Sequence, residues 1–185
     1  MSREVIMRWE RLFEDLEAQL AEAEVDELRA EVADRTRREI AELRLSDRLR
    51  ATHGQQIVVR VSGVGPVTGT LRSSGPDWAL LAEPLGVEAL VPLAAVVQVV
   101  GIGTRATPPG VAGQVARRLG LGYALRGLAR DRADVVVAMT DGGTLTGTID
   151  RVGADHIDVT ERGVDGTGGS WTVRFAGIGV VRRSR

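Results

Sequence analysis

The sequence predicts an α+β chain: a long N-terminal helix followed by two tandem five-stranded β-barrels joined by a helical connector. Three observations carry this prediction. Residues 1–53 contain neither glycine nor proline, whereas all 23 glycines fall at or beyond Gly54. Helical periodicity before that point gives way to short β-branched runs after it. A shift of 78 residues then overlays Gln56–Glu83 on Asp134–Glu161 without a gap, with nine of 28 positions identical. The predicted divisions are residues 1–44 (acidic amphipathic helix), 45–103 (first barrel with a leading helix), 104–120 (connector) and 121–185 (second barrel with a leading helix).

In the N-terminal arm Trp9, Phe13, Leu16 and Leu20 follow i, i+4, i+7, i+11 spacing and share one helical face. Val25, Leu28, Val32, Ile40 and Leu43 continue the stripe with a slipped phase. A helix over residues 8–44 would run roughly 55 Å at ~1.5 Å per residue. It cannot bury that stripe alone, so Trp9, Phe13, Leu16 and Leu20 are the candidate partner-binding residues. The slip leaves several arrangements open: packing on its own body, a break into two helices, or self-association as a coiled coil.

After Gly54, Ile57–Val61, Val67–Leu71, Ala79–Ala82, Ala89–Leu93 and Val96–Val100 read as five short strands punctuated by glycine turns. Val58, Val59, Gly65, Thr68, Gly69, Thr70, Gly75, Asp77 and Glu83 recur 78 residues on. Later strands correspond once a four-residue insertion is allowed in the second copy, so Val91, Leu93 and Val96 match Val173, Phe175 and Ile178. Leu45–Leu49–Arg50 also echoes Leu121–Leu125–Arg126. The body reads as a duplicated unit of one helix and five strands. Gly69 and Gly147 lie inside strands, where glycine marks a bend. Asp77 and Asp155 sit in turns, where a carboxylate accepts backbone N–H bonds.

The stretch VVVAMTDGGTLTGTIDRVGADHIDVTE (residues 135–161) resembles the first motif of the Sm-like fold, and VRFAGIGVV (residues 173–181) resembles the second. The matching features are the Asp141-Gly142-Gly143 turn, Gly147 in the second strand and Asp155 at the following turn. The resemblance covers both repeats and implies small Sm- or SH3-like barrels. Sm-like RNA binders place an asparagine soon after the turn aspartate and an Arg-Gly pair in the second motif. Here those places hold Leu80 or Asp158, and Phe175 follows Arg174. The chain also resembles proteins of GC-rich, actinobacterial genomes.

Between the repeats, GQVARRLGLGYALRGLARDR (residues 113–132) reads as two short helices split at Gly120. It resembles a Fis-type helix-turn-helix, which would make Arg117, Arg118, Arg126 and Arg130 the candidate nucleic-acid-binding residues. The bland alternative makes the leucines core and the arginines a solvated face. Composition narrows the chemistry further. No cysteine and no lysine occur, and His53 and His156 are the only histidines. Thiol nucleophiles, Schiff-base lysines and thiolate metal sites are therefore excluded. No catalytic residues, metal site or cofactor are expected. Charge divides as −4 over residues 1–50 and +3 over the remainder. The functional expectation is a non-enzymatic cytoplasmic interaction or scaffold module. Its partner would be a protein or a second copy through the N-terminal helix, with no membrane involved. The alternative is nucleic-acid binding, as RNA through the barrels and connector or as DNA by a transcriptional regulator.

Overall fold

A computed structural model describes residues 3–106, 119–163 and 168–183. The chain divides into two compact units, residues 1–43 and 44–185. The first is a single unbroken helix, α1 (Arg3–Glu42). Of the arrangements the phase slip left open, the break into two helices does not occur, because no residue there is a strong helix breaker. Ion pairs one turn apart run along its solvated side, joining Arg29 to Asp26, Arg35 to Glu39 and Arg37 to Asp34. Each such pair supports an exposed helix by about 0.3–0.5 kcal/mol.

Among its described residues the second unit holds α2 (Leu45–Arg50), α3 (Leu121–Arg130) and ten strands. These are β1 (Gln56–Val61), β2 (Gly65–Ser74), β3 (Trp78–Ala82), β4 (Glu88–Pro92) and β5 (Val96–Val100) in the first repeat. The second repeat has β6 (Asp134–Met139), β7 (Thr144–Val152), β8 (His156–Glu161), β9 (Ser170–Arg174) and β10 (Ile178–Arg183). The fold overturns the expectation of two separate five-stranded barrels joined by a helical connector. All ten strands form one antiparallel sheet in the order β5-β1-β2-β3-β4-β10-β6-β7-β8-β9. The reason lies in a short 3-10 turn, Leu93–Ala95, that redirects the chain after β4 so that β5 lands beside β1. The outer edge of β4 is left vacant, and β10 of the second repeat fills it. The connector itself falls largely on residues 107–118, outside the described residues; helix begins again at Leu121.

The repeat extends to the register. β5 shifts register against β1 between Arg60 and Val61, and β10 shifts against β6 between Ile178 and Val180. β2 and β7 carry equivalent irregularities after Leu71 and Ile149. Two glycines show why the sequence repeats there. A Cβ on Gly69 would meet the Ala82 carbonyl oxygen at 2.6 Å, and one on Gly147 would collide with that of Thr160. Only glycine lets the neighbouring strand approach so closely.

Strand alternation points Ile57, Val59, Val61, Val67 and Leu71 into one core, capped by Leu49 of α2. Val135, Val137, Leu145, Ile149 and Ile157 fill a second core beneath Leu121 and Leu125 of α3. Each core also takes a side chain from the other repeat. Val180 of β10 enters the first, and Leu90 of β4 enters the second. The two cores are therefore coupled through one continuous ladder. Leu49→Ala and Leu125→Ala each remove a side chain that is at most 1% exposed. Each should cost about 2–5 kcal/mol. Circular dichroism and calorimetry should show residues 44–185 melting in one cooperative transition in both variants; two separable transitions would contradict the coupling.

Candidate interaction surfaces

The joint between the repeats is built from few residues. Across it Val181 faces Leu90 and Arg182 faces Ala89. By alternation, the first pair points into the second core and the second pair points away from it. On that opposite side Arg182 donates two hydrogen bonds to Glu83, Nε to Oε2 at 2.7 Å and Nη2 to Oε1 at 3.2 Å. Both side chains are largely buried, at 27% and 16% exposure. This two-pronged geometry is the strong form of an arginine–carboxylate contact.

The turn before β3 clamps α3 from the other repeat. Gly120 at the head of α3 has no side chain with which to cap it. Asp77 Oδ1 takes that role, accepting a bond from Leu121 N at 2.8 Å, while Trp78 Nε1 donates to Leu119 O at 2.8 Å. Asp77 thus caps a distant helix instead of its own turn. Its repeat partner Asp155 sits 2.9 Å from His156 Nδ1, and that hydrogen bond holds the Asp155 carboxyl below the usual carboxylate range. Trp78, Leu80, Leu90, Ala124, Leu128 and Val181 line an open groove of about 240 Å³ at this joint. It is small and mostly apolar; Glu88, Asp131 and Arg183 also line it, with Arg183 Nη1 3.7 Å from Asp131 Oδ2.

Among the described residues, neither end of the sheet has a neighbouring strand. On β5, Val97 and Val100 are 68% and 56% exposed, an apolar edge of the kind that templates further strand pairing. A shallow depression beside it is lined by Val58, Arg60, Pro66, Gln98 and Val100. At the other end Trp171 of β9 is 54% exposed and donates from Nε1 to Glu161 Oε2 at 2.8 Å.

The residues singled out from sequence distribute unevenly. Arg126 and Arg130 are exposed one turn apart on α3, beside exposed Tyr123, while Leu121 and Leu125 face the core. Arg117 and Arg118 lie outside the described residues. Leu20 is 64% exposed on α1; the side chains of Trp9, Phe13 and Leu16 also lie outside what the structure describes. Val25, Leu28, Val32 and Ile40 are exposed as well. Among the described residues no three His, Asp or Glu side chains group as a metal site, and no helix is long and apolar enough to cross a membrane.

Sequence reasoning missed the Glu83–Arg182 pair. Its one signal is a difference between the copies, since Arg182 replaces Val100 at matching positions against Val136 and Val58. No protein-family model matches the chain, and no curated protein is significantly similar to it.

Removing one member of the buried pair leaves the other without its partner. Arg182→Ala and Glu83→Ala should each destabilise residues 44–185 by roughly 1–3 kcal/mol in urea melts. The double variant should lose less than the sum. A pH effect is expected at His53, whose Nε2 lies 2.9 Å from Ser74 Oγ. Partial burial, and then the Arg50 charge, hold its imidazole below the ordinary value of 6.5. The unfolded chain therefore binds the proton first as pH falls, and stability declines below about 6.5. His53→Gln should flatten that slope between about pH 7 and 5.

Proposed function

We propose that the chain is a non-enzymatic interaction or scaffold module of the cytoplasm, working through exposed apolar elements and not through a pocket. The observation that carries this reading is the β5 edge, where Val97 and Val100 stand exposed beside backbone groups that no strand among the described residues receives. Main-chain pairing at such an edge supplies affinity, and alternate side chains supply selectivity. The exposed apolar residues of α1 support it independently, because a helix with Leu20, Leu28, Val32 and Ile40 all more than half exposed gains by covering them. The small groove at the repeat joint already serves to seat α3 and offers little room for a substrate.

The test is association of the full chain, measured by sedimentation and by cross-linking with mass spectrometry. Concentration-dependent association should cross-link through α1 or β5, and Leu16→Glu combined with Leu20→Glu should weaken the α1 contacts about tenfold, or ~1.4 kcal/mol. A chain that stays monomeric and forms no cross-links would overturn the reading. Anisotropy with a mixed RNA and DNA pool at two salt concentrations provides the competing outcome. Submicromolar binding that falls steeply with salt, and is lost on Arg126→Ala with Arg130→Ala, would replace this reading with nucleic-acid binding.

A further inference from the structure

The joint inside the chain uses half of a contact that each end of the sheet still offers. β10 occupies the outer edge of β4 because the 3-10 turn Leu93–Ala95 sends β5 away from it. The second repeat makes the same turn at Phe175–Gly177, sending β10 to β6 and leaving the outer edge of β9 vacant. β9 is the repeat equivalent of β4, because Trp78 faces Pro92 as His156 faces Arg174. β5 is the repeat equivalent of β10, with matching partners and a matching register shift. The chain thus carries one vacant copy of each side of its own joint, at opposite ends of the sheet.

We propose that a second copy of this chain docks head to tail on the first, its β5 extending the sheet beyond β9. The inference rests on the interaction-module reading and names the partner that the β5 edge fits. The internal joint dictates the register. Val181 facing Leu90 translates to Val99 facing Thr172, and Arg182 facing Ala89 translates to Val100 facing Trp171. Val100 and Trp171 are both more than half exposed in the single chain, and the contact would cover the two together. An aromatic against a β-branched residue is a favourable cross-strand pair. The Glu83–Arg182 ion pair of the internal joint has no counterpart in the chain-to-chain contact: Glu161, which accepts from Trp171 Nε1, comes beside Val100 without a cation.

The surroundings complement each other in charge. Where β3 presents Leu80 to α3 at the internal joint, β8 presents Asp158. Where α3 presents Ala124, α2 presents Arg48. By the same mapping Asp158, which accepts from Thr172 Oγ1, comes beside Arg48, whose Nε and Nη2 donate to Gly103 O, so the two meet as opposite charges and the contact weakens as salt rises. One edge meets a different edge, so the contact is heterologous; repetition produces a closed ring or an open filament according to the rotation between copies.

The chain has no cysteine, which allows a clean cross-linking test. Val100→Cys and Trp171→Cys are prepared as separate full-length variants and mixed in a glutathione redox buffer. Directly opposed antiparallel residues lie about 4.5–5.5 Å apart at Cα, within the span a disulfide needs. A disulfide-linked mixed dimer should form in the mixture and not in either variant alone. Its absence from the mixture, or equally efficient dimerisation of Val100→Cys alone, would overturn the proposal while leaving association through α1 untouched. Charge variants supply a second readout that keeps Trp171 intact. Val100→Arg restores the internal joint's pairing with Glu161 and should retain association, whereas Val100→Glu should weaken it at least tenfold. Equal loss in both would indicate unspecific apolar contact and also overturn it.

Discussion

Everything in the body depends on the pairing of β4 with β10. Two residue pairs make the ladder contact, yet the strands around it draw in side chains from both repeats. Leu90 reaches into the second core and Val180 into the first, so neither core is complete without a strand from the other copy. Burying each of those side chains contributes on the order of 1.5–3 kcal/mol. The bidentate Glu83–Arg182 contact closes the face of the joint that adjoins the first core, and the Asp77 cap ties the head of α3 to the turn before β3. A duplicated sequence becomes one cooperative sheet through this small set of contacts.

The same constraint explains the unequal divergence of the copies. Positions that shape a strand bend repeat closely, as Gly69 and Gly147 show, because both copies bring a neighbouring carbonyl into the space of a side chain. Positions at the joint do not repeat. Trp78, Leu80 and Leu90 of the first repeat correspond to His156, Asp158 and Thr172 of the second, so the edge covered within the chain is apolar and the free edge is polar. Arg182 and Val100 reverse that difference on the opposite strand. A free edge rich in Asp, Thr and Arg is protected from indiscriminate strand pairing, which a wholly apolar edge would invite.

The arm obeys different physics. Its 40 residues contain no helix breaker, so local propensity and turn-spaced ion pairs suffice to keep it helical. Its apolar residues change phase along the length and present no single seam, which favours short docking segments over a continuous two-stranded coiled coil. The acidic balance of residues 1–50 places the arm's charge opposite to that of the remainder.

Much of the local structure was legible in the sequence: the helical arm, the ten strands and their glycine bends. These follow from periodicity and from residues whose conformational demands act over a few positions. The grouping of the strands into separate barrels was not legible correctly. The apolar run of β4, buried from Ala89 to Pro92, is equally satisfied by a neighbour from its own repeat or from the other, so the pattern cannot distinguish them. The decision rests on contacts between residues about 90 to 100 positions apart, such as Leu90 with Val181 and Glu83 with Arg182. The candidate surfaces divide in the same way. Sequence identified the apolar stripe of α1 as in need of a partner, while only the tertiary structure placed β5 and β9 at opposite ends of one sheet. That placement depends on where chain redirection after each 3-10 turn leaves an edge without a neighbour, a property of the assembled sheet and of no single segment.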